Sequence, residues 1–233
     1  MKPLDTLERI VLRDMVHDDI LTLTFLLASY TEPTPLSHLK ITTALGISKD
    51  TLFHFLESLS HTSVEYLSLY GVGYADAGLL YHIATHAPHL RALTLVYRES
   101  PQASSHCWPD ATWEYAAALA GFSQLEYFGW NSRVTTAYFP DALPCFESDN
   151  YCDMHALSEA DDETEGLCAL FAAYCPSLAF LRTNMGSDRL FRLRPTVEIV
   201  DEERVEQILN TYDPGDRYSW PLLDPDLEPL PWW

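Results

Sequence analysis

One short phrase recurs along the chain: an apolar residue, two residues of any kind, an apolar residue, one residue, an apolar residue. It reads Leu7-Ile10-Leu12, Leu36-Leu39-Ile41, Val64-Leu67-Leu69, Leu90-Leu93-Leu95 and Leu125-Phe128-Trp130. A last copy, Leu178-Leu181-Thr183, ends on a polar residue. Successive copies start 29, 28, 26, 35 and 53 residues apart. The alternation inside the phrase suits a short strand with one buried face. Between copies the periodicity changes to that of a helix, in 18–30, 49–60, 76–87, 111–122 and 164–175. Asp76 is placed to cap the third of these helices, and Asp50 or Ser48 the second. Pro88 and Pro176 follow two helices and stop them.

A strand–helix unit this short cannot bury its own apolar face, so copies must stack. The expected fold is therefore α/β: a leucine-rich-repeat solenoid, or horseshoe, with a parallel inner sheet and outer helices. The expected division is a solenoid over 1–184, interrupted by an acidic insertion at about 131–162, and a capping segment with a proline-rich tail over 185–233. Within the latter, 197–212 reads as a short strand and a helix, with Asp201 as cap and Val205, Ile208 and Leu209 on one face. The tail's Trp220, Trp232 and Trp233 are apolar enough to pack back on the body.

The unit at 64–95, with Asp76-Ala77-Gly78-Leu79 and Ala87-Pro88, and the boundary Tyr174-Cys175-Pro176-Ser177-Leu178 carry a resemblance. They resemble the leucine-rich repeats of F-box substrate receptors, especially the fungal ones. The resemblance spans roughly 4–183 and implies a protein-binding scaffold, the substrate-recognition part of an SCF-type ubiquitin ligase. No segment reads as the F-box itself, so adaptor docking is left without a carrier. The alternatives are an enzyme with a site in the insertion or tail, and a truncated F-box protein without independent function.

Charge narrows the partners. The formal net charge is −20, from 34 acids and 14 bases. Residues 1–140 hold 14 acids and 8 bases, and 141–233 hold 20 acids and 6 bases. Nucleic acid and anionic membrane both call for a cationic face, so neither is expected. Five cysteines and no N-x-Ser/Thr sequon fit free thiols in a reducing compartment, so an intracellular protein, cytoplasmic or nuclear, is expected.

Chemical motifs are weak. Gly71-Val72-Gly73, with Gly78 misplaced for a dinucleotide fingerprint, reads as a strand-to-helix loop. His82, His86 and His89 form H-x3-H-x2-H, but no glutamate adjoins His82, and exposed helix histidines are the simpler reading. Cys145, Cys152 and His155 lack the pairing of a zinc site. Cys168 and Cys175 read as buried thiols. No catalytic residue, cofactor or metal is expected, and the chain is not expected to be an enzyme.

The expected site is the concave face, built from strand residues that alternate with the buried ones. One column is Arg9, His38, Tyr66, Ala92, Tyr127 and Phe180, and the next is Val11, Lys40, Ser68, Thr94, Gly129 and Arg182. A third is Arg13, Thr42, Tyr70, Val96, Asn131 and Asn184. Aromatics and Arg are favoured at interface hot spots. A protein partner is therefore expected to meet His38, Lys40, Tyr66, Tyr70, Thr94, Tyr127, Phe180 and Arg182.

Overall fold

The structure is a computed structural model, and it describes residues 4–30, 34–98, 108–131, 166–184, 188–194 and 197–212. Eight strands form one sheet: β1 (Arg9–Met15), β2 (His38–Ile47), β3 (Tyr66–Val72), β4 (Ala92–Tyr97), β5 (Tyr127–Trp130), β6 (Phe180–Asn184), β7 (Asp188–Arg192) and β8 (Glu198–Ile199). Their order in space is their order in sequence. Six α-helices accompany them among the described residues: α1 (His17–Ala28), α2 (Lys49–Ser58), α3 (Ala77–His86), α4 (Thr112–Leu119), α5 over 166–174 and α6 (Glu202–Tyr212). No helix among the described residues is long and apolar enough to cross a membrane.

The strands are set by the repeated phrase. β1 to β6 run parallel, with Ile10, Leu39, Leu67, Leu93, Phe128 and Leu181 in one register row. Leu12, Ile41, Leu69, Leu95 and Trp130 form the next. Both rows pack against α1 to α5 in one continuous core, where Leu67 and Leu69 are fully buried with Leu52, Phe55, Leu80 and Ile83 of the helices.

Helix starts repeat one device, a side-chain acceptor for an otherwise orphaned N–H. The Asp76 carboxylate accepts from Leu79 N–H at 3.1 Å. Ser48, rather than Asp50, is the cap of α2 and accepts from Thr51 N–H at 3.5 Å. Glu114 and Asp19 reach back instead, accepting from the N–H of Ala111 at 2.9 Å and of Val16 at 3.1 Å. Gly71 and Gly73, at the end of β3, also have packing reasons. Gly71 has φ +105°, and a Cβ there would collide with the Thr43 hydroxyl. A Cβ on Gly73 would lie 2.7 Å from the Ile47 carbonyl oxygen.

The horseshoe expectation is corrected here. The sheet is mixed, because β7 pairs antiparallel with β6 and β8 antiparallel with β7. The reason is chain length: Asn184 pairs with Asp188, so three residues connect β6 to β7. A parallel return needs a crossover of a dozen residues or more, whereas a short turn suffices for an antiparallel one. Helices also cover both faces. The alternate row Ala92 and Tyr127, with Leu190 and Val200, packs against Val205, Ile208, Leu209 and Tyr212 of α6. The architecture is therefore a mixed, mostly parallel α/β sheet with helices on both sides, not a solenoid. β7 and β8, which fall in the segment expected as a cap, continue the sheet, and α6 lies against its second face. The acidic insertion, apart from Asn131, lies outside the described residues, as do Cys145, Cys152, His155, Trp220, Trp232 and Trp233.

Candidate functional site

Two of the three expected columns line up, and of the third only Thr42, Tyr70 and Val96 are sheet partners. Arg9, His38, Tyr66, Ala92, Tyr127 and Phe180 are consecutive partners across the sheet, and so are Val11, Lys40, Ser68, Thr94, Gly129 and Arg182. They do not form an open face. Lys40, Tyr70, Thr94, Tyr127 and Arg182 are buried, and His38, Tyr66 and Phe180 are half-buried.

Tyr127 stacks on Tyr212 of α6 at 5.5 Å, and Phe180 leans on the same ring at 5.7 Å. The Tyr212 hydroxyl donates to Glu126 at 2.9 Å, and Arg91 donates to the same carboxylate through Nε and Nη2. Burial first, and then that hydrogen bond, push the Tyr212 hydroxyl up to about 12. Lys40 sits over the Tyr70 ring at 4.6 Å. His38 stacks on Tyr66 at 4.1 Å, and burial, then the nearby Arg9, holds its pKa below the ordinary 6.5. The row of tyrosines is thus a second packing surface, and sequence alone does not separate that from an interface. What stays exposed on this face is its β1 end: Arg9, Val11 and Arg13. Leu7, just before the strand, is exposed as well. Among the described residues β1 has a strand neighbour on one side only.

The helix layer holds a second arrangement. His82 and His86 are one turn apart on α3, and Glu57 reaches them from α2. Their ligand atoms lie within 4.8 Å of one another. The two imidazole centroids are 4.5 Å apart. His82 stacks on Phe53 at 4.2 Å, and its Nε2 is 3.4 Å from the Phe53 carbonyl oxygen. His86 Nδ1 is 2.9 Å from the Ser60 hydroxyl. Burial, then the neighbouring His82, lowers the His86 pKa, and Glu57 opposes this. His89 is not in the cluster, because α3 ends at His86 ahead of Pro88.

Sequence reasoning weighed His82 and His86 and missed Glu57. The signal was the repeat itself. Glu57 precedes His82 by 25 residues and His86 by 29, which straddles the 28-residue step from Leu36 to Val64. Residues about one repeat apart meet across neighbouring helices. Cys168 and Cys175 are buried thiols outside any disulfide, and burial pushes the Cys175 thiol up, away from reactivity.

No family model matches the chain, and no curated protein matches it. Among solved structures it is similar to a ribokinase from Giardia lamblia at 12% identity and a TM-score of 0.29. That match covers 82% of this chain, and the chain spans 57% of the ribokinase. At that TM-score the likeness bears on neither fold nor activity. The resemblance to F-box receptors remains one of sequence pattern.

Proposed function

We propose that the chain is a protein-binding module, and that its docking edge is β1 rather than the middle of the sheet. The observation that supports this is the row Arg9, Val11 and Arg13, exposed at alternate positions along the sheet's first strand, with Leu7 exposed just before it. An edge strand offers a ladder of backbone donors and acceptors to an added strand, and its side chains select what pairs there. Two arginines beside two apolar residues select an extended segment that alternates acidic and apolar residues. Two arginines so close together stand out in a chain of net charge −20.

Amide hydrogen exchange of the full chain tests this reading. The probe is a peptide of alternating glutamate and valine, with a lysine–valine peptide as control. The glutamate peptide should slow exchange of the β1 amides, and the double variant Arg9→Glu, Arg13→Glu should lose that protection. Equal protection by both peptides, or none by either, would show that β1 is not the docking edge.

A further inference from the structure

We propose that Glu57, His82 and His86 form a binding site for a divalent transition-metal ion of the zinc class, which ties α2 to α3. Two histidines one turn apart on a helix present both rings on one face, the spacing that helical zinc sites use. The third donor comes from a different helix, so the set can close around an ion rather than lie along a line. Two imidazoles and one carboxylate suit zinc, cobalt, nickel or copper, whereas magnesium and calcium prefer cages of oxygen.

The surroundings resemble those of metal ligands. A ligating histidine keeps its second ring nitrogen hydrogen-bonded to protein, which fixes tautomer and orientation. His86 has the Ser60 hydroxyl at 2.9 Å from Nδ1, and His82 has the Phe53 carbonyl oxygen at 3.4 Å from Nε2. Each ring retains its other nitrogen as a lone-pair donor. The Phe53 ring, stacked on His82 at 4.2 Å, further limits how that imidazole turns.

Little has to move. Donors on a tetrahedral zinc ion lie roughly 3.4 Å apart, given bonds of about 2.0–2.1 Å. Closing from within 4.8 Å needs shifts of about an ångström, shared between the exposed Glu57 side chain and the two half-buried imidazoles. Its present partner, His54 Nδ1 at 3.3 Å, is an exposed pair of the kind that contributes little and is readily given up. Three protein ligands leave the fourth position to water.

The test uses the full chain, stripped with chelator and titrated with ZnCl2 and, as a spectroscopic probe, CoCl2. One ion per chain should bind, zinc should raise Tm, and a large excess of MgCl2 should not displace it. The cobalt complex should show weak d–d bands without sulfur-to-metal charge transfer, which separates this site from the cysteines. His86→Gln and Glu57→Gln should abolish the zinc-dependent rise in Tm. Glu57 is exposed, so the second variant keeps the test valid if the first folds poorly. Ser60→Ala should weaken zinc binding about tenfold, as loss of an outer partner does. His54→Gln should leave it undiminished. The site is overturned by a thiolate charge-transfer band, by Glu57→Gln binding zinc as the parent does, or by failure of the parent chain to bind zinc.

Discussion

Thr183 occupies the place in its strand that Trp130 holds in β5 and Leu95 in β4, the last inward position of the phrase. It is fully buried, and its hydroxyl has no hydrogen-bond partner among the described residues. A buried hydroxyl without a partner costs about 1–3 kcal/mol in lost hydration. Thr183→Val keeps the shape and removes the cost, so urea denaturation should show a gain of about 1 kcal/mol. A loss of stability would mean that the hydroxyl is satisfied. His38 gives a second expectation at this scale. Its folded pKa lies below the unfolded 6.5, so the unfolded chain takes up the proton first as pH falls. Its contribution is therefore complete above pH 6.5 and is lost as pH drops through the lowered folded value. In His38→Gln the stability should depend less steeply on pH below 6.5, and an unchanged slope would exclude His38 as the source.

Among the elements, α6 changes the reading of the molecule most. Its row Val205, Ile208, Leu209 and Tyr212 lies against Ala92, Tyr127, Leu190 and Val200. Leu209→Asp places a charge in that contact. It should lower Tm and raise the fluorescence of a dye that binds exposed apolar surface. A variant with the parent's Tm and no dye binding would show that α6 is not needed to cover Tyr127. The amphipathic pattern of α6 was legible in the sequence, but a pattern says that a helix buries a face and not which surface receives it. The strand register was legible because side chains alternate with period two and each phrase begins alike, so the columns through Leu67 and Tyr66 followed directly. The cap Asp76 was legible from local chemistry, which narrowed the cap of α2 only to Asp50 or Ser48. Glu57 was not, since its relation to His82 and His86 exists only across neighbouring helices. Nor was the turn-back at β7, where the length of the connection decides direction and Arg189, Leu190 and Phe191 carry no mark of it.

At the scale of the whole molecule, one hydrophobic cluster among the described residues includes residues from Leu4 to Leu193 and takes in α1 through α5. A linear repeat array can lose cooperativity along its length, whereas a shared core favours a single transition. Leu27→Ala in α1 and Leu178→Ala before β6 remove fully buried side chains, each at a cost of about 2–5 kcal/mol. Both should lower one common midpoint, seen alike by circular dichroism and by tryptophan fluorescence. A Leu27→Ala variant in which the two signals separate would show that the chain melts in pieces. The coincidence of strand order with chain order also bears on synthesis. Each of β2 to β6 can join the sheet as soon as it emerges, because its partner is the strand made just before it. The bed for α6 draws on β4, β5 and β7, and its Tyr212 bonds Glu126 from 86 residues away. A growing chain therefore carries Tyr127 and Phe180 without their α6 neighbour until Tyr212 has left the ribosome, and the length of that interval is set by the rate of translation.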